Sequence, residues 1–144
     1  MNTASITSIS FALVALVGAS SCRPHEPPID YQVMYERPAG GGGAEAEALV
    51  SENVTIKELD SLLVYLDKRE WPKGSLNVLV FDSLEAQRAH RKCIVAWRTW
   101  PVSSPGDPPG CADSRSFGKP PYIASLNRNH RDERSKYFDP TLKR

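Results

Sequence analysis

The sequence predicts an α+β (or α/β) domain, built as a two-layer sandwich with both helices on one face of a mixed sheet. Two observations carry this prediction. The run Leu76–Phe81 is apolar and rich in β-branched residues, which is typical of a strand covered on both faces. Helical patterns lie before and after this run, and further strand patterns lie outside them. The predicted element order is therefore β-β-α-β-α-β-β.

Two strands are predicted before the first helix. Residues 29–36 alternate between apolar and polar, which is the period of a half-buried strand. The apolar members, expected to share one buried face, are Ile29, Tyr31, Val33 and Tyr35. Four glycines at 40–43 follow, and no Lys, Ser or Thr stands after them at the spacing of a phosphate-binding loop. A flexible hairpin connection is favoured there, with residues 45–50 returning as the second strand.

The first helix is predicted over residues 55–69. Thr55 and Glu58 have the spacing of a capping box, in which each side chain accepts a backbone N–H of the other residue. Apolar residues then recur at helical spacing and give the helix one buried face: Ile56, Leu59, Leu63 and Leu66. The sequence from Trp71 to Gly74 contains Pro and Gly and ends the helix.

The second helix is predicted from Ser83 toward Trp97, with Asp82 as its N-cap. Residues 93–97 would also suit a strand. Four basic residues are expected to face solvent: Arg88, Arg91, Lys92 and Arg98. A Pro- and Gly-rich loop over 101–121 leads to strands at 122–127 and 134–138, the latter at an edge, and a frayed tail at 139–144.

The N-terminal segment has the pattern of an export signal. Residues 9–19 are apolar, but this run is shorter than the roughly 20 residues that a membrane-spanning helix needs. Small residues lead directly into Cys22. This arrangement resembles the lipobox of bacterial lipoproteins, although Met1–Ser8 contains no Lys or Arg. The resemblance implies a signal peptide at 1–21 and a lipid on Cys22. The polar, Pro-rich residues behind it are expected to form a tether at 22–28, and the length that remains suits a single domain at 29–138.

The lipid on Cys22 would anchor the protein to the membrane of the bacterial cell envelope. The same small residues would also suit an ordinary signal peptidase cleaving before Cys22, which would leave a secreted or periplasmic soluble protein. Cysteine parity favours the lipid, because modification of Cys22 leaves Cys93 and Cys111 as a pair. A disulfide closing a loop of this length is worth about 3 kcal/mol in the chain-entropy model. The alternative is two independent thiols.

Few residues suggest catalysis. His90 and Cys93 are three residues apart, so on a helix they share a face and would suit a nucleophile and its base, or two metal ligands. No further ligand stands at a useful spacing, and the sequence contains no H-E-x-x-H, G-x-S-x-G, C-x-x-C or Walker motif. We therefore expect no metal and no cofactor. A secreted enzyme that uses Cys93 and His90, or His130, is the alternative to a non-catalytic protein.

The later part of the chain suggests a binding surface instead. Aromatic and arginine residues concentrate there, a composition common at interfaces. The candidate surface residues are Trp97, Arg98, Trp100, Arg128 and Arg131. Because the formal net charge is only +1 and the signal directs export, the expected partner is an envelope protein or polymer and not nucleic acid. The competing interpretation places the aromatic residues in the core and the charges in solvent.

Overall fold

The computed structural model describes residues 26–101, 103, 106, 108–111 and 120–144. The predicted signal segment, Cys22 and the first residues of the tether lie outside them. The strands are β1 (Gln32–Ala39), β2 (Gly43–Leu49), β3 (Leu76–Phe81), β4 (Ala124–Arg128) and β5 (Arg134–Phe138), and the helices are α1 (Ile56–Tyr65) and α2 (Leu84–Thr99). A 3-10 turn joins β1 to β2, and a π-helical turn, Leu66–Glu70, follows α1.

The strands form one sheet in the order β1-β2-β3-β4-β5. Strands β2 and β3 run parallel and are joined through α1, whereas the other neighbouring pairs are antiparallel. The α+β class and the mixed sheet are therefore confirmed. The apolar run Leu76–Phe81 is the central strand, which explains why it is apolar on both faces.

The two helices lie on opposite faces of this sheet. Leucines of α1 pack against Val78, Leu126 and neighbouring residues in the hydrophobic core. The other face receives α2, where Gln87 bonds to Glu47 and the ring of His90 lies 5.5 Å from that of Phe81. The expected arrangement with both helices on one face is thus corrected to three layers. A strand that is apolar on both faces gives no signal of which helix covers which face.

An irregularity in β1 sends one predicted core residue to the other face. Val33 pairs with Ala48 and Tyr35 pairs with Glu47. The pairing thus advances by two residues in β1 but by only one in β2, which is a β-bulge. Such a bulge reverses the facing of every later side chain in the strand. Tyr35 therefore points to the α2 side, and the expectation of one shared face holds only before the bulge.

The glycine turn between β1 and β2 packs closely against the turn that precedes β3. The Ser75 amide donates to the carbonyl oxygen of Gly40 at 2.9 Å. A Cβ on Gly43 would lie 1.7 Å from the Ser75 carbonyl oxygen, and Gly74 has a φ of +70°. The hairpin connection is as predicted, but backbone packing fixes it in place, so it is not the flexible connection expected.

The ends of the helices follow local rules. Thr55 and Glu58 form the predicted capping box, with the Thr55 amide donating to the Glu58 carboxylate at 2.8 Å. Helix α2 is capped by Ser83, whose hydroxyl accepts from the Ala86 amide at 3.2 Å, and not by Asp82. The helix runs without interruption to Thr99, which resolves the helix-or-strand alternative for residues 93–97.

The chain after β5 is packed, in contrast to the frayed tail expected. Leu142 contacts the hydrophobic core. The carbonyl oxygen of Lys143 accepts from the amide of Ile56 at 3.0 Å, which satisfies one of the unpaired donors at the start of α1. The tail therefore supplies a hydrogen-bond acceptor at the N-terminus of α1.

Arg128 is buried in the interior and does not belong to a binding surface. Its side chain faces the α1 side of β4 and the residue is 2% exposed. The guanidinium donates to the carboxylate and backbone carbonyl of Asp67 and to the carbonyl oxygens of Trp71, Lys73 and Gly74. These acceptors use all five of its N–H groups, which is the condition for burying a charged arginine.

Asp67 is the counter-charge of this buried arginine. It lies in the π-helical turn, is 4% exposed, and also accepts from Arg134 at 2.8 Å. Burial disfavours its charged form, but the hydrogen bonds and charges of Arg134 and Arg128 outweigh that effect and hold the Asp67 pKa below its usual range. The carboxylate is therefore charged at neutral pH and balances Arg128.

Replacing Asp67 with alanine should lower the free energy of unfolding by about 3–5 kcal/mol, because Arg128 would remain buried without its counter-charge. Urea denaturation measures this loss. Asp60→Ala is the matched control, since Asp60 pairs with Lys136 at the surface and its side chain is 51% exposed. We expect the control to lose less than about 1 kcal/mol. Equal losses in the two variants would contradict the assignment.

Candidate binding cleft

A cleft opens between α2 and the sheet, on the face away from the main core. Its volume is about 420 Å³, which is within the range of small-ligand sites. Residues of β1, β2 and β3 form its floor, and the second half of α2 forms one wall. The side chains that define it are Tyr35, Glu47, His90, Arg91, Trp97 and Arg98. Here α2 contributes His90, Arg91 and Arg98 as well as Ile94 and Trp97, so its side toward the cleft is mixed, in contrast to the leucines that α1 packs on the sheet.

The floor of the cleft is organised around Glu47. This residue is 4% exposed even though it lies in a strand whose neighbouring side chains are alanines. Its carboxylate accepts from Gln87 Nε2 at 2.7 Å and from Arg91 Nη1 at 3.3 Å. From the sequence alone, Glu45 and Glu47 alternate with alanines and are expected to face solvent together. The structure corrects this for Glu47, because a buried carboxylate needs polar partners and α2 supplies them.

Arg91 lies inside the cleft, although its sequence pattern predicts that it faces solvent. Its guanidinium carbon is 3.6 Å from the centre of the Tyr35 ring, a close cation–π contact. The bulge in β1 is what turns Tyr35 toward α2. The stacking and the bond to Glu47 together hold the Arg91 guanidinium flat against the sheet.

The open end of the cleft carries more positive than negative charge. Arg37 Nε donates to Glu45 at 2.7 Å, and this bond is the main cause that lowers the Glu45 pKa. Arg91 is paired with Glu47. Arg98 is exposed, and its charge also helps to lower the Glu45 pKa. The cleft lining therefore contains three arginines and two glutamates, an excess of one positive charge.

His90 lies between Glu47 and the ring of Phe81. Its Nε2 is 3.8 Å from the Glu47 carboxylate, which is too long for a hydrogen bond. Burial lowers the His90 pKa and the charge of Arg91 lowers it further, while Glu47 opposes both without reversing the shift. The imidazole is therefore neutral at neutral pH and adds no charge to the cleft.

Cys93 and Cys111 form a disulfide, as predicted, with their Cα atoms 5.4 Å apart. Cys93 therefore has no free thiol to serve as a nucleophile beside His90. The bond ties the loop after α2 back to the middle of the helix. Trp100 supports the same connection, because its indole N–H donates to the carbonyl oxygen of Gly106 at 3.1 Å.

The structure divides the five candidate surface residues. Trp97 and Arg98 line the cleft together. Trp100 is directed to the loop, and Arg128 is in the interior. Arg131 is exposed in the turn between β4 and β5, outside the lining of the cleft. The sheet residues of the site were not predicted, because they come together only when α2 covers that face.

The chain matches no protein-family model, no curated protein and no solved structure. Within the described residues, no group of three or more His, Cys, Asp or Glu side chains is placed to hold a metal ion. In the same part of the chain, no helix is long and apolar enough to cross a membrane.

The lowered His90 pKa predicts how stability depends on pH. The unfolded chain binds a proton at His90 more readily than the folded chain, so stability should fall as pH drops below the usual histidine pKa and should level off below the folded value. Above the usual pKa this residue contributes no pH dependence. Urea denaturation between neutral and mildly acidic pH measures the effect.

His90→Gln should remove this part of the fall in stability. His130→Gln is the control for the loss of a histidine, because His130 is exposed in a turn. This variant should show the same dependence of stability on pH as the wild type. A profile that is the same in wild type and His90→Gln would show that His90 does not carry the effect.

Proposed function

We propose that this protein is a lipid-anchored component of the bacterial cell envelope whose α+β domain binds another envelope component without catalysing a reaction. The observation that carries the proposal is the open cleft in which Trp97 and Arg98 stand beside the stacked pair of Arg91 and Tyr35. Arginine and large aromatic side chains are the residues most often responsible for binding energy at interfaces.

Export is supported by two independent features. The apolar stretch at 9–19 followed by Cys22 resembles a lipoprotein signal, and these residues lie outside the described part of the chain. The disulfide between Cys93 and Cys111 favours an oxidising compartment, in which such bonds persist. It also uses the two other cysteines, which leaves Cys22 for a lipid.

Binding suits the chemistry of the cleft better than catalysis. Glu47 is held by Gln87 and Arg91, and Glu45 is held by Arg37, so both carboxylates are engaged as acceptors. A general base needs a lone pair that can reach the proton of a substrate. These contacts orient the arginines and leave the site suited to recognition.

The alternative is a secreted or periplasmic soluble enzyme. Cys93 no longer supports it, because its sulfur is in the disulfide, and His130 is exposed in a turn. His90 still lines the cleft beside Glu47 and is the remaining candidate for a general base. A hydrolytic activity lost in His90→Gln but retained in Cys93→Ala would favour this alternative.

Mass spectrometry of the protein from its native membrane, without reduction, tests the anchoring. We expect an N-terminal peptide that begins at acylated Cys22, together with a peptide pair joined through Cys93 and Cys111. Cys22→Ala should move the protein from the membrane to the soluble fraction, because the anchor is lost. An unmodified Cys22 at the mature N-terminus would show a soluble protein instead.

Photo-crosslinking tests binding through the cleft. A photoreactive residue in place of Ile94, which lines the cleft without a proposed binding role, should form specific adducts in the native envelope, whereas one at position 88 should not. Arg88 is the matched control because it is exposed on the same helix but does not line the cleft. Adding Tyr35→Ala should weaken the adducts at position 94 about tenfold, because Arg91 loses its support.

Thermal melting of each variant verifies that the fold is retained. Equal labelling from positions 88 and 94, or no adducts from either, would contradict the proposed binding site.

A further inference from the structure

The cleft continues into a second hollow at the end of the sheet. This hollow has a volume of about 290 Å³ and is lined in part by Asn127, Asn129 and His130. It shares Glu45 and Asn77 with the cleft. The two spaces therefore lie side by side, from α2 across the ends of β2 and β3 to the turn between β4 and β5, and together they are called the trough; their combined length suits an elongated ligand.

A row of polar side chains crosses the whole sheet at the floor of this trough. In neighbouring strands, Arg37 pairs with Glu45, Glu45 with Asn77, Asn77 with Asn127, and Asn127 with Ser135. Paired residues in a sheet point to the same face, and neighbouring strands are roughly 4.8 Å apart. The row therefore presents guanidinium, carboxylate, amide and hydroxyl groups at regular intervals.

This row favours a saccharide over a peptide. Because β2, β3 and β4 are paired on both sides, their backbone groups are engaged in the sheet and only side chains face the trough. A peptide main chain is recognised best at a free strand edge, which here belongs to β1 and β5. Sugar hydroxyls both donate and accept, as do the amides of Asn77 and Asn127.

The charge of the trough indicates an acidic saccharide. Arg37 and Arg91 are each paired with a glutamate of the floor, and Arg98 is exposed, so the lining has one positive charge in excess. A carboxylate carries a single charge and accepts two parallel N–H bonds from a guanidinium. A phosphate monoester carries about −1.5 to −2, which exceeds what one arginine balances. Trp97, at the same end, offers an aromatic surface beside the charge.

We propose that the trough binds a carboxylate-bearing oligosaccharide, with Arg98 on the carboxylate and Asn77 and Asn127 on the hydroxyls of neighbouring units. This inference rests on the proposed binding function of the cleft and adds the chemical class of its ligand.

Calorimetric titration of the full-length protein in detergent tests the inference with a matched pair of sugars, tetragalacturonate and its methyl ester. The two share every hydroxyl and differ in charge. We expect tetragalacturonate to bind at least about tenfold more tightly than the ester. Arg98→Gln should abolish that difference, because Arg98 recognises the carboxylate. Asn127→Ala should weaken both sugars by a similar factor, because Asn127 recognises hydroxyls.

Arg88→Gln is the control and should leave both affinities unchanged. Equal affinity for the two sugars, no binding of tetragalacturonate, or tighter binding of tetraglutamate would each overturn the saccharide assignment. The crosslinking experiment separates this failure from failure of the proposed function. Adducts at position 94 without sugar binding would keep the binding site and reject the ligand class, whereas the absence of both would reject the two proposals together.

Discussion

Burial of the Arg128 guanidinium within a ring of acceptors constrains the rest of the domain. Its five N–H groups join the π-helical turn after α1 to the turn that begins β3, and Asp67 supplies the balancing charge. A buried ion pair adds little net stability compared with apolar residues, but removing one partner is costly. The pair therefore connects these two turns directly before β3 begins beside β2.

The position of β3 also decides which side chains lie together on the α2 face of the sheet. Once its register beside β2 is set, Asn77 stands next to Glu45 and the polar row crosses the strands. On the α1 side the same strands contribute Leu76, Val78 and Val80 to a dry core. On the α2 side, Gln87 and Arg91 bond to Glu47 and the His90 ring packs against Phe81, while the disulfide ties α2 to the loop that follows it. A polar, open cleft is the result.

Much of the fold was predictable because local signals were strong. The helical periodicity of α1, its capping box, the apolar central strand and the cysteine pairing all correspond to observed features. The placement of α2 was not predictable, since β3 is apolar on both faces. A bulge leaves no clear pattern in the sequence, so the orientation of Tyr35 was missed. Arg128 resembled a surface arginine, and its five acceptors are separated from it by more than 50 residues in sequence.

Hydrogen–deuterium exchange of the full-length protein, with and without solubilised native envelope, tests the central claim most directly because it requires no prior choice of ligand. The account predicts that added envelope slows exchange in the second half of α2 and in the turn between β4 and β5, the two ends of the trough. Exchange in α1, on the far side of the sheet, should stay unchanged. Protection confined to α1, or no protection anywhere, would contradict a binding site between α2 and the sheet.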